Sequence, residues 1–139
     1  MRAPARSRRT ARAEYHLPRQ SCSARRARQL TRLFLSGRGP AGPCRADHGS
    51  ALLVVSELVT NATRYGQGSC RLRLSLDGRD RLVVEVHDGG PGRPRLAPYS
   101  PTAESGRGIA LVQALSRRLS VVRDSEGGGK TVRAVLPCD

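Results

Sequence analysis

The sequence of 139 residues is poor in aromatic side chains, with one Phe, three Tyr and no Trp. A single domain with a core of Leu, Val and Ala is therefore expected. The chain also lacks an uninterrupted run of about 18 apolar residues, the length needed to span a membrane. No apolar segment follows the basic N-terminus, so no secretion signal is predicted. These absences predict a cytoplasmic protein without a membrane partner.

Closely spaced metal ligands are also missing. The four cysteines form no C-x-x-C pair, and the three histidines add no ligand spacing. Reduced thiols are therefore favoured over a structural metal site. His87 precedes Asp88, but without a partnered nucleophile it is interpreted as a surface residue at a strand end.

Acidic residues are scarce near the N-terminus, and the net charge is +14. Residues 1–45 hold 12 Arg and a single acid, Glu14. Residues 1–13 have no apolar period and are predicted to form a disordered basic arm, followed by one domain over residues 14–139. Nucleic acid is disfavoured as a partner because the aromatic residues of a single-strand binding platform are absent.

The apolar periodicity that is present predicts three helices and two hairpins. The predicted helices cover about 21–36, with Ser21 or Ser23 as the N-cap, 47–65 and 108–119. The predicted hairpin strands cover 70–76 with 81–87 and 120–124 with 130–136. A further short edge strand is expected near residues 16–20. This pattern predicts an α+β fold, a two-layer sandwich with helices on one face of a mixed, mainly antiparallel sheet.

Two stretches place polar residues in unusual positions. "SELVTNATRYG", residues 56–66, brings Glu57 and Asn61 to nearly the same side of an otherwise apolar helix, one turn apart. In "VHDGGPG", a strand ends at Asp88, whose carboxylate can accept a hydrogen bond from an exocyclic amine. Gly90 and Gly92 follow and permit a close approach of the backbone to a ligand.

A third stretch, "ESGRGIALV", has Gly106 and Gly108 immediately before the third predicted helix, where free N–H groups favour a phosphate. A fourth, "GGGKTV", is not a P-loop, because it leads into a strand instead of a helix. Each motif alone is a weak indicator of function. Their order, E-x-x-x-N, D-x-G-x-G, G-x-G and G-K-T, is specific.

In this order the motifs resemble the ATPase superfamily shared by gyrase, MutL and sensor histidine kinases, over about residues 14–137. The short chain and its exact motifs are similar to the anti-sigma-factor serine kinases of the RsbW and SpoIIAB type. The resemblance implies a Bergerat-type ATP-binding fold with ATP and Mg²⁺ as cofactors.

The resemblance also implies roles for residues in the first two motifs. Asn61 would ligate Mg²⁺ through its amide oxygen, and Glu57 would orient or deprotonate the attacking hydroxyl of a protein serine. Asp88 would read the adenine amine, while Gly90 and Gly92 would admit the base.

The later motifs receive their roles in the same way. Gly106 and Gly108 would present N–H groups to the phosphates below a lid of residues 93–105, and Thr131 would lie beside the adenine. Arg107 would contact phosphate or the protein partner, with a solvated arginine as an equal alternative. Lys130 is interpreted as a charge at a strand edge.

The function implied by the resemblance is an ATP- and Mg²⁺-dependent protein serine kinase that regulates transcription as an anti-sigma factor. Its implied partners are a small anti-anti-sigma protein as substrate, a sigma factor, and a second copy of the chain in a homodimer. The alternative is a non-enzymatic ATP-binding module that controls a protein partner. The presence of Glu57 favours the kinase, since a pure binding module needs no base.

Overall fold

A computed structural model gives the fold and describes residues 11–36, 47–65, 68–77, 81–89, 104–124 and 129–137. Five strands and three helices occupy this part of the chain. In order they are β1 (Ala11–Leu17), α1 (Ser23–Leu35), α2 (His48–Tyr65), β2 (Cys70–Leu76), β3 (Leu82–Asp88), α3 (Glu104–Leu115), β4 (Arg118–Arg123) and β5 (Lys130–Leu136).

The strands form one sheet in the order β1-β2-β3-β5-β4. Every pairing between these described strands is antiparallel, so the sheet is simpler than the mixed sheet that was predicted. The predicted α+β architecture is confirmed.

The apolar face of the sheet follows directly from alternation in the strand sequences. In β2, Leu72 and Leu74 are fully buried, whereas Arg71 and Arg73 lie on the opposite face. There the two arginines pair with Glu14 of β1, at 3.0 and 3.1 Å. The helices therefore cover one face of the sheet, and the other face carries charged side chains.

Helix α2 is the central element of the helical layer, and it packs against α1, α3, β2, β3 and β5. Asp47 caps its N-terminus by accepting hydrogen bonds from the Gly49 N–H at 3.0 Å and the Ser50 hydroxyl at 2.9 Å. The hydrogen bonds from Ser50 are the largest cause of the lowered pKa of the Asp47 carboxyl. The buried side of α2 carries apolar residues that join the core beneath it, among them Ala51, Val54, Val55, Leu58, Val59 and Ala62.

Two element boundaries differ from the sequence predictions. Strand β1 begins at Ala11, within the segment that was predicted to be the arm, and residues 1–10 lie outside the described residues. Helix α3 begins at Glu104 and ends at Leu115, four residues earlier at each end than predicted. Its C-terminal boundary is set by the sheet, since Arg118 already pairs with Val135 in β5.

No helix in the part of the chain that the structure describes is long and apolar enough to cross a membrane.

The early start of β1 makes a deletion experiment informative. Removing residues 1–10 keeps the strand, whereas removing residues 1–13 also removes Ala11–Ala13, which pair with Leu76, Ser75 and Leu74. We expect the shorter deletion to leave the free energy of unfolding near that of the full chain, and the longer one to lower it by about 1–3 kcal/mol through lost strand hydrogen bonds. Urea denaturation measures both. Equal stability of the two truncated proteins would contradict a structural role for the start of β1.

Candidate functional site

The buried face of α2 carries two polar side chains among its apolar ones. Asn61 is 8% exposed, and Glu57 is partly exposed one turn earlier. The helical period therefore brings a carboxylate and a nearly buried amide to the same side of α2, as the sequence predicted. The Asn61 amide makes no hydrogen bond to another residue in the described ranges.

A row of three polar or ionisable side chains crosses the end of the sheet on its helix-covered face. Asp88 at the end of β3 lies directly opposite Cys70 of β2 and Lys130 of β5. The residues are 9%, 2% and 5% exposed, respectively. Only residues 66–69 connect the end of α2 to Cys70, so α2 approaches this end of the sheet.

Burial and charge act together in this row. Burial lowers the pKa of Lys130, since it disfavours the charged ammonium, and the nearby Asp88 opposes that shift. Burial also raises the pKa of the Cys70 thiol to about 11, and the charge of Asp88 adds to the increase. Asp88 therefore acts electrostatically on both neighbours, and Cys70 stays a neutral thiol at pH 7.

Gly129, which immediately precedes β5, lies against the backbone of Asp88. Its φ is +156°, and a Cβ atom at this position would lie 2.3 Å from the Asp88 carbonyl oxygen. Only glycine fits such a close approach without a backbone shift. The contact brings the end of β3 and the start of β5 together, and with them Asp88 and Lys130.

The family follows from a sequence comparison. Residues 18–136 match the family model described as the histidine kinase-like ATPase domain. The chain belongs to this family. Membership confirms the superfamily that the order of the motifs indicated, and it implies ATP as the ligand of this ATPase domain. No curated protein sequence matches the chain.

Solved structures with a similar fold include the RsbU and RsbW domains of Rv1364c from Mycobacterium tuberculosis. That structure matches with a TM-score of 0.63 and 21% identity over 91% of this chain and 32% of the other. The histidine kinase domain of the blue-light activated kinase EL346 from Erythrobacter litoralis matches with a TM-score of 0.52 and 32% identity, over 66% of this chain and 47% of the other. The ATPase domain thus spans about a third and about half of these two chains, respectively.

Thr131 does not share a face of the sheet with Asp88. It pairs with His87, not with Asp88, and alternation turns both side chains to the face without helices. There Thr131 and His87 line a small polar depression with Arg71, Arg73 and Glu85. The side chains of Thr131 and Asp88 are therefore on opposite faces of the sheet, and a place for Thr131 beside the adenine, through water, stays a prediction.

The position of Lys130 differs from the one that the sequence predicts. It was interpreted as a charge at a strand edge, yet it is buried and faces the helices beside Asp88. The sequence contained a signal for this burial. Lys130 is in phase with the apolar residues of β5 that face the helices, which are Val132, Ala134 and Leu136.

The remaining predicted site residues belong to the segment around the start of α3. Gly106 and Gly108 lie inside α3, not before it as predicted. At this position in the helix the Gly106 N–H has no intrahelical acceptor, whereas the Gly108 N–H has one. The phosphate contacts of both glycines stay predictions. Arg107 is in the same turn, its side chain is not described, and its role stays a prediction. Gly90, Gly92 and predicted lid residues 93–103 lie outside the described residues.

Replacing Gly129 tests the close contact between β3 and β5. We expect Gly129→Ala to lower the free energy of unfolding by about 1–3 kcal/mol, because the new methyl group meets a backbone oxygen at an unfavourable φ. Gly68→Ala is the matched control, since a Cβ there meets nothing within 4 Å. Urea denaturation of both variants checks this, and a Gly129 variant as stable as the control would contradict the contact.

Proposed function

We propose that this ATPase domain is an ATP- and Mg²⁺-dependent protein serine kinase of the anti-sigma-factor type, with a small anti-anti-sigma protein as its substrate. The observation that carries the proposal is the position of Glu57 one turn before the nearly buried Asn61, on the same side of α2. ATP binding alone needs no carboxylate beside the metal ligand, whereas phosphoryl transfer uses a residue that orients the attacking nucleophile.

The residues present fit a magnesium ion that is held mainly by the nucleotide. The described residues contain no cluster of three or more His, Cys, Asp and Glu side chains. Mg²⁺ commonly takes one or two protein ligands and completes its octahedron with water and phosphate oxygens. Asn61 would supply the neutral oxygen, and the bound ion would neutralise charge on the phosphates during transfer.

Glu57 would act on the acceptor. Its partly exposed carboxylate is open to an incoming side chain, unlike the nearly buried Asn61. In the proposed step, the serine oxygen forms a bond to the γ-phosphorus as the bond from that phosphorus to the bridging oxygen breaks. ADP leaves with the electron pair of the broken bond, and the serine proton passes to Glu57.

The partners and setting belong to the same proposal. The fold similarity to a structure that contains an RsbW domain supports an anti-anti-sigma protein as the acceptor. A sigma factor as a second partner, a homodimer, a role in transcription regulation and a cytoplasmic location accompany this assignment. Incubation with labelled ATP and small candidate acceptor proteins, read as transfer to serine, tests the proposal directly.

Substitutions at Asn61 and Glu57 should affect the protein differently. Asn61→Ala removes the proposed metal ligand, so we expect magnesium-dependent ATP affinity and phosphorylation to fall together. Glu57→Ala leaves nucleotide contacts intact, so binding should persist while phosphorylation falls by about 10²-fold or more. Thr60→Ala, on the exposed side of the same helix, is the control. Calorimetry and a transfer assay separate these effects.

Two results would contradict these roles. Full phosphorylation by Glu57→Ala would remove Glu57 from the chemistry. Loss of ATP binding in both variants together with a disrupted circular dichroism spectrum would give the two residues a structural role only. ATP binding without transfer to any acceptor would instead support a non-enzymatic binding module.

Base selectivity tests the assignment of Asp88 to the adenine amine. A guanine presents an oxygen acceptor where Asp88 needs a donor, which leaves a nearly buried carboxylate facing an acceptor. We expect ATP to bind at least about tenfold more tightly than GTP. Calorimetry with the two nucleotides measures the ratio, and equal affinities would exclude the assignment.

A further inference from the structure

We propose that Lys130 is a specificity-determining residue of the nucleotide site: its ammonium donates a hydrogen bond to the adenine ring nitrogen beside the amine that Asp88 reads. This inference rests on the proposed function, because it requires adenine at the end of the sheet. The motifs supplied one hydrogen-bond acceptor for the base, Asp88. Lys130 would add a hydrogen-bond donor from the same ATPase domain.

The first argument is position. Lys130 lies directly opposite Asp88 in the register of β3 and β5, and both side chains are on the helix-covered face. Directly opposed residues of antiparallel strands have Cβ atoms about 4.5–5.5 Å apart. A base whose edge contacts the Asp88 carboxylate therefore lies within reach of the Lys130 side chain.

The second argument is chemical complementarity. An ionised carboxylate only accepts hydrogen bonds, and an ammonium group only donates them. Adenine presents an amine donor next to a ring nitrogen acceptor on its Watson–Crick edge, through N1, and on its Hoogsteen edge, through N7. Asp88 and Lys130 together match this donor and acceptor pair.

The third argument is burial. Lys130 is 5% exposed, and lysine is almost never buried to this degree unless it is paired. Burial lowers the pKa of Lys130, and the charge of the nearby Asp88 carboxylate favours its ammonium form. An ammonium has three donors and a carboxylate about four acceptor positions, so the two groups can contact each other and still bind the base.

The fourth argument is the position of the neighbouring hydroxyl. Thr131 was expected beside the adenine, but it pairs with His87 and faces away from the helices. On β5, the side chain next to Asp88 is therefore Lys130, which offers a charged donor in place of a hydroxyl. A hydrogen bond to a charged group is stronger than one to a neutral group, so Lys130 should contribute measurably to affinity.

The test is a double-mutant cycle between the side chain and the base. ATP, 1-deaza-ATP and 7-deaza-ATP are titrated calorimetrically into the full chain and into Lys130→Met, with Lys130→Arg as the variant that keeps a charged donor. We expect one of the two deaza analogues to bind the unmodified chain roughly tenfold to a hundredfold more weakly than ATP. The analogue that binds more weakly identifies the edge of adenine that Lys130 contacts.

Lys130→Met should bind ATP more weakly by a similar factor. It should bind the discriminating deaza analogue no more weakly than ATP. Lys130→Arg should retain the preference for ATP. The analogues act on the unmodified chain, so the test holds even where Lys130→Met does not fold.

Equal binding of ATP and both analogues by the unmodified chain would overturn the inference while leaving ATP binding intact. If Lys130→Met still bound ATP more tightly than that deaza analogue, the inference would also be overturned. Lys130 would then act only by positioning Asp88. If the unmodified chain bound no ATP, the proposed function would fail, and the inference with it.

Discussion

The burial of one apolar face of the sheet beneath α2 is the constraint on which the structure depends. Leu72, Leu74, Val84, Val86 and Val132 all belong to this face and to a single core with α2. With one Phe and no Trp in the chain, the core is stabilised by many individually weak contacts between aliphatic side chains. A polar group buried among them is costly, because it loses its hydration and finds no hydrogen-bond partner there. Polar side chains on this face therefore collect at the end of the sheet, where Asp88 and Lys130 lie.

The pair of Asp88 and Lys130 is costly to stability by itself, because two charged groups lose much of their hydration. Gly129 holds the two strand ends together by a backbone approach that no other residue fits. The proposed contacts of Asp88 and Lys130 with adenine would offset this cost. Burial raises the pKa of the neighbouring Cys70 thiol to about 11, and the charge of Asp88 adds to the increase, so the thiol stays protonated and unreactive toward oxidants near pH 7.

Alternation divides the chemistry of the sheet between two faces. Asp88 and Lys130 are on the helix-covered face, while His87 and Thr131, one residue away in each strand, are on the other. On that second face His87 contacts Asp124 at 2.8 Å, and Arg71 and Arg73 pair with Glu14. A shift of one residue in either strand would exchange these sets, so the register of β3 with β5 decides which groups face the helices.

The sequence by itself determined the features that depend on near neighbours. The spacing of Glu57 and Asn61 fixed their common side of α2, alternation in β2 predicted its buried face, and the order of the motifs identified the family. The tertiary structure decided which residue joins Asp88, where β1 begins and where α3 gives way to β4. These outcomes depend on pairing between strands that are distant in the chain, and the energies of such pairing are not contained in any local pattern. Lys130 therefore lies opposite Asp88 on the helix-covered face and Thr131 lies on the other face, although the two are adjacent in the sequence.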